Sequence, residues 1–198
     1  MLCGEVPVVS DGLVALVDLG DTLADCTPAL RAALAQLRQP GESEEDEALI
    51  PLPPYLESRR RTVMSAPGFW RGLQPRPEVF ELLGILRNAG FRVHVLTKGP
   101  YDAPQAWADK VAWCRAHLPD VPVIVTDDKT RIHGHLLVDD WPPYVERWQR
   151  QWPAGFAIVP AQPWNVRLPL GPRCVRYDPN NRDDVISLLQ DTSWAQIE

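Results

Sequence analysis

Polar side chains follow three short apolar segments, at the points where buried strands would end. They are Asp18 after residues 13–17, Thr97 after residues 93–96, and Asp139 with Asp140 after residues 136–138. In open parallel sheets, ligands bind beyond the carboxyl ends of the strands, so these positions should face one pocket. Lys110 lies one helix length beyond Thr97 and could reach the same place.

Each of these residue types suits a separate task in phosphoryl transfer. A carboxylate at Asp18 can attack phosphorus, Thr97 can hydrogen-bond a phosphoryl oxygen, and Lys110 can neutralise charge. Asp139 can join Asp18 in holding a hard cation such as Mg²⁺. One acidic residue at a strand end is weak support, because such residues often cap helices or form ion pairs. The ordered combination indicates a phosphate-handling site.

The elements that must position these residues alternate as in α/β folds. Short apolar runs predict buried parallel strands at residues 13–17, 91–96, 121–125, 136–138, 156–159 and 174–177. Segments of helical period predict helices at residues 78–89, 103–117, 144–152 and 183–190. The sequence therefore predicts a mostly parallel sheet covered by helices.

Residues 27–75 break this alternation and indicate an insertion over the edge of the sheet. A helical piece at residues 28–37 leads into an acidic run at 42–47 and then into a proline-rich segment. The acidic run is typical of a solvated surface rather than a site. A second proline-rich stretch, residues 153–172, predicts a long irregular connection.

Composition limits the class of protein and its partners. The 198 residues suffice for one well-packed domain and a small insertion, and the 45% hydrophobic content is ordinary for a globular protein. A net charge of −6 gives no footprint for duplex nucleic acid. We expect no membrane partner and a cytoplasmic location, because no signal segment begins the sequence and no apolar run approaches the roughly 20 residues that cross a bilayer.

The segment 17–25, with the sequence VDLGDTLAD, resembles the first motif of the haloacid-dehalogenase superfamily. Further segments are similar, in order and spacing, to the 5'(3')-deoxyribonucleotidases. These segments are PGFW at 67–70, LQP at 73–75, VHVLT at 93–97, KVAW at 110–113, TDDKT at 126–130 and LLVDD at 136–140. The likeness covers roughly residues 13–141.

The resemblance implies a fold and a division of the chain. The fold would be an α/β haloacid-dehalogenase-like Rossmannoid core of three layers, with a parallel sheet and a small helical cap inserted after the first strand. Residues 1–26 and 76–198 would form the core, and residues 27–75 the cap.

The same resemblance implies the roles of the site residues. Asp18 would be the nucleophile that becomes transiently phosphorylated, with Thr97 and Lys110 holding the phosphoryl group. Asp139 would bind Mg²⁺ together with Asp18. Asp140, a further candidate metal ligand, and Lys129, a candidate substrate contact, would belong to the surrounding polar shell. Phe69 and Trp70 of the cap would line the pocket for a nucleobase, whose identity stacking does not reveal.

One position of the first motif departs from the family pattern. Relatives carry an aspartate two residues after the nucleophile, where it protonates the leaving oxygen and later activates water, whereas this chain has Gly20. Glycine can still offer its backbone carbonyl to the metal, so Gly20 stays a candidate ligand. Acid and base assistance is worth about 10²- to 10⁴-fold in rate. Asp21 is the candidate catalytic replacement if the glycine re-aims the turn, although adjacent residues of extended backbone point oppositely.

Two further departures lie near the same site. Lys98 follows Thr97 where the nucleotidases usually have serine, and Asp127 stands where they often have arginine. Lys98 could bind a substrate phosphate more tightly, whereas Asp127 would repel one. Both residues would also suit side chains that point into solvent.

Two weaker patterns admit structural and functional interpretations. His133 and His135 could share one face of extended backbone and bind a metal, but no further soft ligands are nearby, so a surface loop is the alternative. Trp148 and Trp152 are spaced for one helix face and fit either a core or a partner-binding stripe.

The leading functional hypothesis is a Mg²⁺-dependent phosphohydrolase that acts on a small phosphate ester, a nucleoside monophosphate, through Asp18. The alternative is a catalytically impaired nucleotide- or phosphate-binding protein, which Gly20 motivates. A third hypothesis keeps the scaffold and changes the reaction, since relatives with a non-acidic residue at this position carry out C–P or C–halogen chemistry. A homodimer is compatible with each of the three.

Overall fold

A computed structural model of the chain describes residues 12–43, 52–167, 169–191 and 194. Residues 1–11 of the predicted core and residues 44–47 of the predicted acidic run lie outside this described part.

The described residues form a sheet of six parallel strands. The strands are β1 (Val14–Val17), β2 (Arg92–Lys98), β3 (Val123–Thr126), β4 (Leu136–Val138), β5 (Phe156–Pro160) and β6 (Cys174–Tyr177). Their order across the sheet is β3-β2-β1-β4-β5-β6. Strands β2 and β3 therefore lie on one side of β1, and β4, β5 and β6 lie on the other side. Such a reversal opens a crevice at the carboxyl ends of the central strands.

Six α-helices accompany this sheet in the described part of the chain. They are α1 (Cys26–Gln36), α2 (Pro54–Ser65), α3 (Pro77–Asn88), α4 (Pro104–His117), α5 (Pro142–Gln151) and α6 (Arg182–Asp191). The first turns of α2, α3, α4 and α5 contain proline. Proline is favourable there because the first helical N–H groups have no partner within the helix.

Alternating side chains of the central strand divide the core into two layers. Val17 belongs to one buried cluster with Leu82 of α3, Trp113 of α4 and Val185 of α6. Leu16, which points to the opposite face, packs with α5. Strands and helices on both faces confirm the predicted three-layer α/β core. Strands β2 and β5 lie on opposite sides of β1. Because crossovers between parallel strands are right-handed, the helices that lead to these two strands pack on opposite faces of the sheet.

Several predicted boundaries shift in the structure. Strand β2 continues through Thr97 and Lys98, which pair in register with Val125 and Thr126 of β3. Thr97 therefore lies within a strand, whereas the sequence placed it just after one. Helix α2 was not predicted, because only Leu56 and Val63 of its twelve residues are buried and they give a sparse apolar pattern.

Backbone hydrogen bonds bring the two ends of the inserted segment together. The amide of Asp25 donates to the carbonyl of Gln74 at 2.9 Å, and that of Arg76 donates to Leu23 at 2.9 Å. Between these points α1 and α2 pack against each other. This arrangement is compatible with a cap that leaves and re-enters the core at one place, and the boundaries 27–75 stay a prediction.

The lengths and apolar character of the helices bear on membrane spanning. None of those in the described ranges combines the length and the apolar character that crossing a bilayer requires.

Candidate active site

Three aspartates meet where the central strands end. Asp18 follows β1 and its amide donates to Val138 of β4 at 2.8 Å, which fixes the two strand ends side by side. Asp139 and Asp140 follow β4 directly. Carboxylate oxygens of Asp18, Asp139 and Asp140 all lie within 4.8 Å of one another, and all three residues are buried.

Lys129 bridges two of these carboxylates. Its ammonium lies 2.6 Å from Oδ1 of Asp18 and 2.9 Å from Oδ2 of Asp139. Lys129 begins a short 3-10 helix after β3, and Asp128 caps that helix by accepting from the amide of Thr130. Burial works to lower the pKa of Lys129, but Asp139 and Asp18 outweigh it and raise that pKa. Lys129 is thus charged and contacts both Asp18 and Asp139 directly.

Lys110 and Thr97 form a second polar pair beside Asp18. Lys110 donates to the Thr97 hydroxyl at 3.1 Å and to the Lys98 carbonyl at 2.7 Å. Its ammonium also lies 3.8 Å from the centre of the Trp70 ring, a favourable cation–π contact. Burial lowers the pKa of Lys110 to about 8, although the charge of Asp18 opposes this shift.

The three aspartates suit a hard divalent cation. Carboxylate oxygens are the ligands that Mg²⁺ and Ca²⁺ prefer, and within the described ranges no histidine or cysteine joins this group. Burial raises the pKa of Asp139 and, together with the charge of Asp139, the pKa of Asp140. Three buried carboxylates face two buried ammonium groups, so a further positive charge would be favourable here. The structure therefore brings the predicted ligands Asp18, Asp139 and Asp140 together.

Gly20 lies against the indole of Trp70. A Cβ atom built at Gly20 would lie 3.3 Å from Cζ3 and 3.5 Å from Cη2 of that ring. The ring is 4% exposed and its N–H donates to the carbonyl of Met64 at 2.8 Å. Phe69 meets Trp70 edge to face, with ring centres 5.4 Å apart. An aromatic ring of the insertion thus borders the position where relatives carry a carboxylate.

Asp21 is directed toward the start of α1. It adopts a φ of 56°, in the left-handed region that few non-glycine residues occupy. Its two carboxylate oxygens accept from the amide of Thr27 at 2.6 Å and from the Thr27 hydroxyl at 2.8 Å. Burial raises the pKa of Asp21, while the bonds from Thr27 lower it. The contacts describe a helix cap, and they do not support the predicted catalytic role.

Residues after β5 also reach the site, and the sequence interpretation missed them. The Trp164 indole donates to Asp140 Oδ2 at 3.1 Å, Asn165 donates to the Asp140 carbonyl at 2.8 Å, and Gln162 donates to the Asp21 carbonyl at 2.6 Å. They lie in the stretch predicted as an irregular connection. The rule that residues beyond a strand's carboxyl end form the pocket would have identified them, since β5 ends at Pro160.

Lys98 lies beside the site rather than in its buried centre. It is exposed, and with Asp127 it lines an open cavity of about 400 Å³ next to Lys129. Three residues of α5, Tyr144, Arg147 and Arg150, line the same cavity. The structure therefore places Lys98 and Asp127 in one cavity with opposite charges.

The histidine pair and the tryptophan pair noted in the sequence make packing contacts and hydrogen bonds. His135 Nδ1 accepts from the amide of Val14 at 3.0 Å, and His133 packs on Trp152 with ring centres 4.6 Å apart. Trp148 is fully buried and cannot belong to an exposed partner-binding stripe. Trp113, also fully buried, donates to the Leu73 carbonyl at 2.8 Å and ties α4 to the end of the insertion.

Comparison with known sequences identifies related proteins. Residues 13–174 match the family model described as "5' nucleotidase, deoxy (Pyrimidine), cytosolic type C protein". A provisionally named 5'(3')-deoxyribonucleotidase of Bordetella bronchiseptica is 33% identical over 92 residues, 45% of this chain and 50% of the relative. A Bordetella pertussis protein with the same provisional name matches equally. The match thus spans about half the length of these curated relatives.

Comparison with solved structures supports the fold. A provisionally named haloacid dehalogenase-like hydrolase of Burkholderia xenovorans has a TM-score of 0.52 at 16% identity, covering 91% of this chain and 98% of that one. A hydrolase of the same superfamily from Deinococcus radiodurans, solved with bound phosphate and sodium, has a TM-score of 0.51 at 12% identity. It covers 89% of this chain and 95% of that one. The predicted superfamily resemblance and fold class are confirmed.

Proposed function

This chain belongs to the family of cytosolic type C deoxy-pyrimidine 5' nucleotidases, and on that basis we propose that it is a Mg²⁺-dependent phosphohydrolase whose nucleophile is Asp18. The proposed substrate is a nucleoside monophosphate. The observation that carries the proposal is the ion pair of Asp18 with the buried Lys129 at 2.6 Å. A second buried lysine, Lys110, donates to Thr97, and the charge of Asp18 works to raise the pKa of Lys110.

Asp18, Asp139 and the carbonyl of Gly20 would hold the Mg²⁺, with Asp140 beside them. The cation would supply positive charge against the phosphoryl oxygens. Lys110 and Thr97 offer hydrogen-bond donors to the same phosphoryl group, and burial strengthens their electrostatic effect. Lys129 restrains Asp18 and Asp139 through its two ion pairs.

The proposed reaction proceeds in two steps. An oxygen of Asp18 bonds to phosphorus while the bond from phosphorus to the ester oxygen breaks, and the leaving oxygen takes its proton from water. Water then attacks the phosphorus of the aspartyl phosphate, its proton passes to solvent, and the Asp18 carboxylate is released with inorganic phosphate. With Gly20 in place of an acid, both proton transfers depend on solvent, so we expect weakened turnover.

Phe69 is the better candidate for contact with a nucleobase. It is partly exposed, whereas Trp70 is 4% exposed and already contacts Lys110 and the Gly20 region. The site would therefore bind a nucleobase by stacking and would not select one base over another by hydrogen bonds.

The second candidate is a nucleotide- or phosphate-binding protein with little turnover. The packing of Trp70 against Gly20 favours it, because the ring borders the position from which relatives donate the proton. Calorimetry with a deoxynucleoside monophosphate and Mg²⁺ would distinguish the two, since binding without phosphate release supports this candidate and brisk release excludes it.

The decisive experiment compares Asp18→Asn with Asp183→Asn. Asp183 lies in α6 with its side chain 91% exposed, and its substitution controls for loss of a negative charge. We expect Mg²⁺-dependent phosphate release from deoxynucleoside monophosphates to disappear in Asp18→Asn and to persist in Asp183→Asn. Release that survives in Asp18→Asn would reject the proposed nucleophile. The cytoplasmic location and the homodimer stay predictions.

A further inference from the structure

We infer from the surroundings of Gly20 that this site selects phosphoryl donors by the acidity of the leaving group. It accepts the phosphoryl group from aryl and acyl phosphates and is slow with alkyl esters. The inference rests on the proposed function, because it takes Asp18 as the phosphoryl acceptor, and it adds the chemical class of donor that the site turns over.

The space beside position 20 is occupied by an anchored aromatic ring. Trp70 would lie 3.3 Å from a Cβ at Gly20, and its indole N–H is bonded to the Met64 carbonyl. Trp113 holds the end of the same segment through Leu73. A side chain at position 20 would therefore press on the ring, which would have to give by a few tenths of an ångström. The ring also offers no donor there to an oxygen that gains negative charge.

The four aspartates at residues 18–21 and 139–140 are each engaged in another contact. Asp21 uses both oxygens to accept from Thr27. Asp140 accepts from the Thr22 hydroxyl at 2.9 Å and from the Trp164 indole at 3.1 Å. Asp18 and Asp139 are paired with Lys129. Each of the four carboxylates thus already has a partner within the protein.

The two buried ammonium groups are likewise committed. Lys110 donates to Thr97 and to the Lys98 carbonyl beneath the Trp70 ring, and Lys129 donates to Asp18 and Asp139. These contacts direct both cations toward the nucleophile and the phosphoryl group. They stabilise the transferred group without assisting the departure of the oxygen bound to it.

The chemistry of the leaving group then sets the rate. When Asp18 attacks, the electron pair of the breaking P–O bond moves to the leaving oxygen. A phenolate or carboxylate carries that charge by delocalisation and needs no proton, whereas a sugar alkoxide must be protonated as it leaves. General acid assistance contributes about 10²- to 10⁴-fold to such steps, and alkyl esters lose this factor here. Hydrolysis of the aspartyl phosphate loses the corresponding base, so the phosphorylated chain accumulates.

The test measures the rate of Asp18 phosphorylation for a series of donors. The intact chain with Mg²⁺ is mixed with acetyl phosphate, 4-nitrophenyl phosphate, phenyl phosphate and a deoxynucleoside monophosphate. The phosphorylated fraction is followed by intact mass after acid quenching, and Asp18→Asn serves as the unlabelled control. We expect labelling by 4-nitrophenyl phosphate to exceed that by the nucleotide by at least about 10²-fold, with the label outlasting removal of the donor.

A second measurement returns a carboxylate to position 20. In Gly20→Asp combined with Trp70→Leu, the smaller side chain makes room for the acid, and Trp70→Leu alone is the matched control. We expect the double variant to reduce the preference for acidic leaving groups by at least tenfold relative to that control, about 1.4 kcal/mol. If circular dichroism shows either variant to be unfolded, the donor series on the unchanged chain is the test of the inference.

The outcomes separate this inference from the function it rests on. Equal labelling rates across the donors would overturn the leaving-group selection and leave the proposed nucleophile in place. Absence of label with every donor would contradict the proposed function itself. A steep dependence on leaving-group acidity that disappears in the double variant supports both.

Discussion

The ammonium of Lys129 lies 2.6 Å from Oδ1 of Asp18, so the proposed nucleophile is ion-paired inside the protein. The same ammonium contacts Asp139, and all three residues are buried. Removal of one partner from a buried ion pair is costly, because the charges left behind lose compensation without regaining water.

We therefore expect Lys129→Met to lower the free energy of unfolding by about 3 kcal/mol in the absence of divalent cations. Saturating Mg²⁺ should restore part of this loss, since it would compensate the same carboxylates. Arg131→Met is the control, because Arg131 belongs to the same short helix but is 82% exposed, and its substitution should leave stability nearly unchanged. Urea denaturation with and without Mg²⁺ measures these effects. A Lys129→Met chain as stable as its parent would contradict the ion-pair interpretation.

Lys110 predicts how anion binding depends on pH. Burial lowers its pKa to about 8, so the side chain is charged below that pH and becomes neutral above it. Affinity for sulfate, whose own charge is constant in this range, should be highest below pH 8 and fall as pH rises through the pKa. Calorimetric titrations between roughly pH 6 and 10 measure the fall. Lys110→Met should bind weakly with no such transition, and an unchanged transition in that variant would assign it to another group.

Asp21 should contribute to stability and not to the reaction. Asp21→Ala removes the acceptor for two Thr27 donors, and loss of a helix cap costs about 0.5–2 kcal/mol. Asp21→Gly should lose less, because glycine adopts the observed positive φ without strain. Labelling of Asp18 by a deoxynucleoside monophosphate, whose leaving oxygen needs a proton, should stay within about threefold in both, far from the 10²-fold or greater loss of a general acid. A loss of that larger size would restore Asp21 to the catalytic role first predicted.

Two glycines provide a matched test of the fold. Gly84 lies exposed in the interior of α3 with no atom near a built Cβ, so Gly84→Ala should stabilise the protein by about 0.5–1 kcal/mol. A Cβ at the buried Gly155 would overlap the ring of Trp148, which is itself fully buried. Gly155→Ala should therefore destabilise the protein by about 1–3 kcal/mol. Thermal denaturation of both variants should show shifts of opposite sign.

The sequence predicted the assembly of the site well, because parallel strands bring their carboxyl ends to one edge. Asp18, Asp139 and Asp140 all follow apolar runs, and the structure brings their carboxylates within 4.8 Å of one another. Thr97 ends another apolar run and accepts a hydrogen bond from Lys110. Lys110 was included because it lies one helix length beyond Thr97, and its reach depends on how that helix packs. The strand pattern alone thus located most of the polar groups at the edge of the sheet.

Other features depend on contacts that no local pattern encodes. The direction of Asp21 is set by Thr27, six residues along, and by a backbone conformation unusual for aspartate. The neighbour of Gly20 is Trp70, fifty residues away in the insertion, so its ring could not be placed from the motif. Trp164 and Asn165 reach Asp140 from an irregular segment whose proline content suggested only a connection.

The packing of Trp70 against Gly20 joins two parts of the chain that are distant in sequence, so the two positions should respond to mutation together. A Cβ at position 20 requires the ring to give by a few tenths of an ångström. Removal of the ring alone would leave a cavity, which typically costs about 3–5 kcal/mol for a large aromatic residue. The free-energy changes of the two substitutions should therefore not add, and the insertion should limit which residues the first motif accepts.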